Sequence, residues 1–349
     1  MKRTLLLILA AVVLILLGGF GFLVWYFLPD SGKITQFIDE HPDQVSYCLI
    51  RNGEVAKSHR AKAVGPLAST VKIVVAIEYA EQAAAGLIDP DAWISLDSVN
   101  RFYLPDTDGG AQPGWLASIS EKTQQDQVQV REIAKGMIQF SSNANTEWLM
   151  DRLGYDSIQA RLVKLGLQDH TEIHYIVSAL LVGKVAFPGL KGSDLVEALR
   201  NMDMSTYRQY CHEIHAALKA DTLMKQDLGD FSMPVQRVWS DRLPASSPET
   251  YARLVRQINQ RTFDPAAQVY LSETMERLME NPANQSWLKH AGQKGGSTGF
   301  VLTKAMYATT LAGESVELAY FFHDLDPLQV QLLSMSMNAF ELEVLQGNW

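Results

Sequence analysis

Strand-like sequence patterns near both ends of this chain enclose a long helical middle. Residues 45–50 have the composition of a strand, and Asn52-Gly53 is a typical hairpin turn that leads into a returning strand. Residues 304–311 and 316–322 form a second hairpin pattern near the end, whereas residues 126–280 have mainly helical periodicity. Because the strands at the two ends must pair, the pattern predicts an α/β (α+β) fold with one mainly antiparallel sheet, flanked by helices, and an inserted all-helical lobe.

The same patterns divide the chain into segments. Residues 29–44 are predicted to be a linker, and residues 45–349 to be the globular domain. Residues 185–245 are less regular than the rest of the helical middle, which indicates a helical insertion with lid-like or partner-facing helices. Asp326-Pro327 combines a helix N-cap with a proline at the first helical position, so residues 328–345 are predicted to form a closing amphipathic helix.

The first 28 residues form a separate segment. Lys2 and Arg3 precede residues 4–28, a run of 25 residues without a charged side chain, long enough for a helix to span a hydrocarbon core of about 30 Å. A cleaved signal peptide has a shorter apolar stretch and a small-residue cleavage site, whereas this run ends in the bulky residues 22–28. The pattern therefore predicts an uncleaved anchor at 1–28 in the cytoplasmic membrane, with the rest of the chain extracytoplasmic (periplasmic).

Charge and cysteine content restrict the classes of partner. The formal net charge is −9 and the chain has no basic tract, which argues against nucleic acid as a ligand. The two cysteines, Cys48 and Cys211, are too few for a disulfide framework. The residues allow either a disulfide between them or two buried free thiols, and they specify neither protein partners nor an oligomeric state.

A serine and a lysine lie three residues apart at the start of an apolar helical pattern. The segment is Ser69-Thr70-Val71-Lys72, and helical spacing places the two side chains on one face. A lysine in a dry pocket has a lowered pKa and can accept the proton of a serine nucleophile. The structural alternative is a helix cap followed by an exposed lysine. The apolar residues 73–77 argue against it, because a solvated charge is unexpected there.

Two further motifs follow in the chain. Ser141-Ser142-Asn143 comes directly after the largely apolar residues 137–140, and on its own it could be a helix cap or a loop. Lys294-Gly295-Gly296, followed by Ser297-Thr298-Gly299, lies on a predicted strand near the end of the chain. A cation on an edge strand can bind a carboxylate, and glycines let a substrate approach the strand closely. The structural alternative is a glycine-rich loop.

The three motifs, in this order, resemble the Ser-x-x-Lys, Ser-x-Asn and Lys-Thr-Gly motifs of the serine β-lactamase and penicillin-binding-protein (DD-peptidase) superfamily. The resemblance covers about residues 40–345 and is greatest to class A β-lactamase-like serine hydrolases, so it implies a β-lactamase-like fold. Two positions depart from the pattern. Ser142 replaces an aspartate, and Gly295 lacks the hydroxyl of the usual threonine, which either Ser297 or Thr298 could supply.

The resemblance also implies a role for each matching residue. Ser69 would form an acyl-enzyme with an amide or β-lactam carbonyl, Lys72 would act as general base, and Ser141 would relay the proton to the leaving group. Backbone N–H groups of Ser69 and Ser297 would form the oxyanion hole. No metal or cofactor is implied, and the expected partner is a small-molecule or peptidoglycan-peptide substrate. The implied substrate-binding residues are Asn143, Lys294, Gly296, Ser297 and Thr298.

The loop after the second motif leaves the activity open. Class A β-lactamases have a glutamate there that activates the deacylating water, and only Glu172 is a nearby candidate here. The sequence therefore allows a β-lactamase-related hydrolase, a D-alanyl-D-alanine carboxypeptidase or endopeptidase, and a membrane-anchored β-lactam or peptidoglycan sensor with a stable acyl-enzyme. His170 and His174 would share one face of a helix, but structural histidines are the preferred interpretation because no His-Glu-x-x-His pattern is present.

Overall fold

The structure is a computed structural model that describes residues 28–221 and 227–349. Its described residues form two compact units, residues 28–42 with 326–349 and residues 43–325. The membrane anchor predicted at 1–28 lies outside the described residues except for Leu28. Within the described residues, no helix is long and apolar enough to cross a membrane.

The strands are short at the periphery and long in the main sheet. In chain order they are β1 (Val45–Arg51), β2 (Glu54–His59), β3 (Gly65–Pro66), β4 (Trp93–Ser95), β5 (Gln127–Gln129), β6 (Ala245–Ser246), β7 (Leu288–Ser297), β8 (Leu302–Thr310) and β9 (Ser315–Phe322).

The helices occupy most of the sequence between β2 and β7. In chain order the α-helices are α1 (Ser31–Glu40), α2 (Lys72–Ala84), α3 (Leu96–Asn100), α4 (Ala111–Ser118), α5 (Val130–Lys135), α6 (Asn143–Leu153), α7 (Tyr155–Lys164), α8 (Ile176–Ala179), α9 (Val182–Ala186), α10 (Gly192–Asn201), α11 (Met204–Lys219), α12 (Met233–Asp241), α13 (Pro248–Asn259), α14 (Pro265–Met275), α15 (Pro282–Gln285) and α16 (Pro327–Gln346). Short 3₁₀ segments are Pro42–Gln44, Ala68–Val71, Ser120–Lys122 and Arg277–Glu280, and Gly136–Phe140 is a π-helical turn.

Strands from the two ends of the chain pair in one antiparallel sheet with the order β2-β1-β9-β8-β7. The β1–β2 hairpin turns at Asn52-Gly53, as predicted, and both residues have positive φ angles of 50° and 90°. The predicted α+β class, with a helical middle enclosed by strands, is therefore confirmed. Residues 185–245 are largely helical, from α10 to α12, but their origin as an insertion stays a prediction.

Helix α2 forms the centre of the core of residues 43–325. Every residue from 71 to 80 is buried, including Lys72, and the helix packs against α6, α7 and α14. A helix that is buried on all sides needs an apolar sequence around its whole circumference, which residues 73–77 supply. Cys48 on β1 and Cys211 on α11 are buried free thiols, so no disulfide joins them.

The other compact unit contains the first and last helices described. Residues 29–44, expected to be a linker, include α1, which begins after Asp30; the Asp30 side chain accepts a hydrogen bond from the Gly32 N–H. Ile34 and Phe37 are its buried residues, and their spacing supplies the apolar face that packs against α16. Helix α16 begins at Pro327 as predicted and has a complete capping box.

Candidate active site

Ser69 lies on a 3₁₀ turn, Ala68–Val71, that leads into α2. The sequence predicted Ser69 in the first turn of the α-helix itself, whereas the regular helix begins at Lys72. The physical reason is the backbone of Ala68, which has a φ of 44° and interrupts the helical path directly before the serine. A non-glycine residue in this region is strained by roughly 1–3 kcal/mol, and such residues cluster at functional sites.

The turn that holds Ser69 is attached to the sheet by two threonines. The hydroxyls of Thr70 and Thr303 are 2.8 Å apart, and Thr303 donates to the Leu67 carbonyl at 2.7 Å. A Cβ atom at Gly296 would lie 2.5 Å from the backbone nitrogen of Ser69, so only glycine lets β7 pass this close. The third motif thus adjoins the first through its backbone.

Lys72 is fully buried and its ammonium nitrogen meets the second motif. It donates to the Ser141 carbonyl at 2.6 Å and to Asn143 Oδ1 at 2.8 Å, and it lies 3.3 Å from Ser141 Oγ. Burial lowers the pKa of Lys72 well below its usual value, and the positive charge of Lys294 lowers it further against an opposing effect of Asp108. The amine is therefore suited to accept a proton.

The second motif is held in place by backbone geometry and a cap. Ser141 has a φ of 66° and ends the π-helical turn Gly136–Phe140. Ser142, which replaces the family's aspartate, is fully buried; its Oγ accepts from the Asn145 N–H at 3.0 Å and donates to Gln112 Oε1 at 2.5 Å. Ser142 is therefore the helix cap that the sequence alone allowed, whereas its neighbours Ser141 and Asn143 contact Lys72.

Lys294 meets Ser141 from the side of the sheet. Its nitrogen lies 3.0 Å from Ser141 Oγ and donates to the Gly295 carbonyl at 2.6 Å, and its side chain is buried. Burial and the nearby charge of Lys304 lower the pKa of Lys294 to about 7. One serine hydroxyl therefore lies between two buried amines, one from each flanking motif.

The residues that follow Lys294 in the third motif differ in their exposure and in their contacts. Ser297 is exposed at the end of β7. Thr298 lies beyond the strand; its Oγ1 is 2.7 Å from Ser240 Oγ and accepts from the Phe300 N–H at 3.1 Å. Opposite Gly295, the register of β7 and β8 places Lys304. The side of Gly295 that the expected hydroxyl would occupy therefore faces an amine from the next strand.

The residues considered in the loop after the second motif are engaged elsewhere. Glu172 accepts from Tyr155 Oη and pairs with Arg208 Nε at 2.9 Å. His170 and His174 lie in an irregular segment rather than on a helix. His174 is buried against the ring of Tyr207. Among the residues that the structure describes, no three His, Cys, Asp or Glu side chains are grouped so as to hold a metal.

Sequence reasoning missed four residues that support this site. Thr303 and Lys304 are polar residues that directly precede the apolar residues 305–308 of strand β8, which was a usable signal. Gln112 and Asp108 gave no comparable signal, because their contact with the site depends on tertiary structure. Asp108 accepts from the Gln112 N–H at 2.9 Å, and Gln112 in turn accepts from Ser142.

Three solved β-lactamases share this fold. One from Chitinophaga pinensis has a TM-score of 0.56 and 15% identity, covering 89% of this chain and 96% of that chain. One from Sphaerobacter thermophilus has a TM-score of 0.56 and 16% identity, with coverages of 90% and 97%. A class A representative from Bacteroides cellulosilyticus has a TM-score of 0.54 and 16% identity, with coverages of 89% and 97%. At these identities the likeness concerns the fold.

The sequence itself also matches a family model. No curated protein matches the chain. The model of the β-lactamase enzyme family, however, matches residues 31–282, which is more than half of the chain and includes the first two motifs. Together with the shared fold, this match shows that the chain belongs to the β-lactamase enzyme family, within the serine β-lactamase and penicillin-binding-protein superfamily.

Proposed function

We propose that this protein is a serine acyl hydrolase in which Ser69 forms an acyl-enzyme with an amide or β-lactam carbonyl. The observation that carries the proposal is the position of Ser141, whose hydroxyl lies 3.3 Å from Lys72 Nζ and 3.0 Å from Lys294 Nζ. A hydroxyl in contact with an amine base can take up a proton from that amine as it donates its own proton to a leaving group.

Lys72 is the proposed general base. A neutral amine has two N–H bonds, and carbonyl oxygens of Ser141 and Asn143 lie 2.6 and 2.8 Å away to accept them. The lone pair then remains to accept the proton of Ser69 as its Oγ attacks the carbonyl carbon. Backbone N–H groups of Ser69 and Ser297 are proposed to stabilise the oxyanion, which the close approach of β7 at Gly296 supports.

Breakdown of the tetrahedral intermediate requires a proton on the leaving nitrogen. Ser141 is proposed to donate it as the C–N bond breaks, and Lys72 then returns the proton taken from Ser69 to Ser141. The products of this step are the Ser69 ester and a neutral amine, so the proton count is unchanged. Asn143 is proposed to orient the substrate amide, and Lys294, with Gly296, Ser297 and Thr298, the carboxylate side of the substrate.

Hydrolysis of the ester is proposed to be slow. Glu172, the one candidate base in the loop, is held by Tyr155 and Arg208. General-base assistance contributes roughly 10²–10⁴-fold, so its absence prolongs the life of an ester to a similar extent. This observation favours a second candidate function, a membrane-anchored sensor of β-lactams or peptidoglycan in which the acyl-enzyme itself is the signal.

One time course separates these functions. The full chain in detergent is mixed with a fluorescent penicillin, and the Ser69 adduct is followed by mass spectrometry. An adduct that forms and decays slowly supports the proposal, and rapid consumption of penicillin without an adduct would show that a deacylating base exists. Absence of any adduct and of any product contradicts acyl transfer. Release of D-alanine from a D-alanyl-D-alanine peptide in a parallel reaction would identify the carboxypeptidase alternative.

We also propose that residues 1–28 anchor the protein in the cytoplasmic membrane with residues 29–349 outside. The support is the uncharged run behind Lys2 and Arg3. Membrane fractionation and protease treatment of spheroplasts test it. A chain recovered from the cytosol, or an N-terminus found near residue 28, contradicts it.

A further inference from the structure

A pocket lies beside the candidate site at Lys294 and Ser141. Its volume is about 440 Å³, and Ser141 and Lys294 are shared between the pocket and the site. The rest of its wall comes from the π-helical turn before Ser141, from residues 275–284, and from β7 and β8. A substrate group that extends beyond the carboxylate bound at Lys294 would enter this space, which we call the Lys294 pocket.

Lys304 brings a second amine to the floor of the Lys294 pocket. A Cβ atom built on Gly295 would lie 3.4 Å from Lys304 Cδ and 3.9 Å from its nitrogen. A Cβ atom at position 295 would therefore be in ordinary van der Waals contact with the lysine side chain. Lys304 thus lies beside the position at which the motif usually has a threonine, so a cation lies where the motif has a neutral donor.

A third cation lies at the entrance. The guanidinium carbon of Arg277 is 4.8 Å from the centre of the Phe140 ring, and Nη1 donates to the Gln139 carbonyl at 3.3 Å. Arg277 is exposed, so its remaining N–H groups can reach a ligand. Among the described residues that line the pocket, three are cationic and none is Asp or Glu.

Two amide side chains of the same wall have buried polar atoms without a hydrogen-bond partner. They are the donor Nε2 of Gln139 and the acceptor Oε1 of Gln293. Buried polar atoms are normally satisfied, and a buried orphan costs roughly 1–3 kcal/mol. Both atoms are almost inaccessible to solvent, so a ligand would reach them only if the two side chains moved.

Together these cationic side chains can accommodate an anion next to the position proposed for the first carboxylate at Lys294. We propose that the Lys294 pocket binds a second carboxylate on the leaving-group side of the substrate, between Lys304 and Arg277. This inference rests on the proposed acyl transfer to Ser69. The preferred substrates are then amides whose amine component is an amino-dicarboxylic acid, which leaves with the proton from Ser141 when the C–N bond breaks.

The electrostatics of the pocket support this choice. Two buried amines on neighbouring strands repel each other, which contributes to the lowered pKa of Lys294. A ligand with two negative charges places a second negative charge beside this pair of amines. Charge-assisted hydrogen bonds to a desolvated carboxylate are among the stronger polar interactions in proteins.

A matched pair of substrates tests the proposal. The same acyl group is joined to D-alanine or to D-glutamate, and kcat/KM is measured with the full chain in detergent for the native protein, Arg277→Gln and Lys304→Met. We expect the native protein to prefer the D-glutamate amide by about tenfold or more. Arg277→Gln should remove most of that preference and leave the D-alanine amide within about twofold, because Arg277 lies at the entrance, away from Ser69.

Arg152→Gln is the matched control, because Arg152 is also exposed and also lies over an aromatic ring, that of Trp148 at 5.2 Å. It should keep the full preference. If Lys304→Met does not fold, Arg277→Gln alone decides, since its side chain is at the surface.

The possible outcomes distinguish the second-carboxylate subsite from the acyl transfer to Ser69 on which it rests. Equal kcat/KM for the two amides, with Ser69 acylated normally, overturns the second-carboxylate subsite and leaves acyl transfer intact. If penicillin labels Ser69 but neither amide is cleaved, each amide is tested for its ability to protect Ser69 from labelling by penicillin. Equal protection by the two amides overturns the subsite. Failure of penicillin and both amides to acylate Ser69 overturns the proposed function and, with it, this inference.

Discussion

Two of the regions of residues 43–325 that bury ionisable side chains place them in opposite surroundings. In the site, Lys72 and Lys294 donate to uncharged oxygens of Ser141, Asn143 and Gly295. In the helical region, Glu147 of α6, which is fully buried, meets a histidine and backbone N–H groups instead.

The helical region forms a closed network. Glu147 accepts from the Val177 N–H at 2.6 Å and the Ser178 N–H at 3.1 Å, and it lies 3.1 Å from His215 Nδ1. The other nitrogen of His215 lies 3.1 Å from Asp151. Its ring is stacked between Tyr175 at 3.7 Å and Phe102 on the opposite face at 5.0 Å.

This contrast teaches how to distinguish a structural charge from a functional one. Each carboxylate of the helical network accepts hydrogen bonds from backbone N–H groups or from His215, and these bonds connect α6 to α8 and α11. The network therefore needs no ligand to satisfy its carboxylates. The amines of the site are buried without a carboxylate in hydrogen-bond contact among the contacts described for Lys72 and Lys294. A site that lacks an anion in its resting state is complementary to an anionic substrate.

The largest effect on activity should come from removal of the nucleophile Ser69, whose role no residue of the helical network can take over. Ser69→Ala should abolish the covalent adduct and lower kcat by roughly 10⁴–10⁶-fold, since a nucleophile and its base act as a unit. Mass spectrometry with penicillin and steady-state rates measure this, and circular dichroism checks the fold. Ser193→Ala removes an exposed serine as the matched control. Adduct formation by Ser69→Ala would place the chemistry elsewhere.

The next effect should be one of stability in the helical network. Glu147→Ala leaves His215 and two backbone N–H groups without their buried acceptor, and breaking a buried ion pair costs about 3–5 kcal/mol. We expect the free energy of unfolding in urea to fall by that amount. The folded fraction should still be acylated at Ser69. Glu121→Ala, at an exposed glutamate, should leave stability almost unchanged.

The pH dependence of stability should change in the same variant. Burial acts to lower the pKa of His215, but hydrogen bonds to Asp151 and Glu147 outweigh burial and raise it. Because the folded pKa is raised, protonated His215 stabilises the native protein below the unfolded pKa, and this stability is lost as pH rises through the folded pKa. Glu147→Ala should weaken that dependence, and an unchanged slope would contradict the assignment.

Removal of a charge from the site should have the opposite effect to Glu147→Ala, with activity lowered and stability retained. Lys294→Met replaces a buried amine with an apolar side chain of similar length, so stability should be unchanged or higher. Turnover of a free-acid substrate should fall about 10- to 100-fold, because a hydrogen bond to a charged group contributes about 1.5–3 kcal/mol. The methyl ester of the same substrate should be almost unaffected. Equal losses for both would show that Lys294 does not bind the carboxylate.

Local patterns were sufficient to predict much of this molecule. The Asn52-Gly53 hairpin, the strands of the sheet and helix α16 follow from turn residues, apolar periodicity and an N-cap followed by proline, all of which act over a few residues. The three motifs lie together in the structure, since Lys72 and Lys294 both approach the Ser141 hydroxyl and Gly296 lies beside Ser69. The assignment of roles to those residues stays a prediction until the variants are measured.

What the sequence did not predict depends on tertiary contacts. Lys304 lies beside Gly295 only because of the register between β7 and β8, which a single sequence does not state. Glu147 was not recognised as a network residue, because its partners lie about 30 and 68 positions further along the chain. Helix α1 was missed because its apolar face, Ile34 and Phe37, is too narrow to signal a helix by itself.

The smallest effect, and the most selective one, should appear in the pH profile of kcat/KM. The pKa of Lys294 is lowered to about 7 by burial and by Lys304, so its ammonium is lost as pH rises through that value. A free-acid substrate binds the charged form more tightly. Its kcat/KM should therefore decline above about pH 7 and level off once Lys294 is neutral, at a value about 10- to 100-fold lower.

The methyl ester serves as the internal control, because it has no carboxylate for Lys294 to bind. Both substrates should share an acidic limb, since Lys72 must be neutral to accept the proton of Ser69 and its pKa is lowered well below the usual value. Only the free acid should have the basic limb. In Lys294→Met the free acid should lose that limb as well, and its profile should then coincide in shape with that of the ester. If the basic limb persists in the ester, or in Lys294→Met, it belongs to the titration of another group. Lys294 would then not be the cation that distinguishes the site from the helical network.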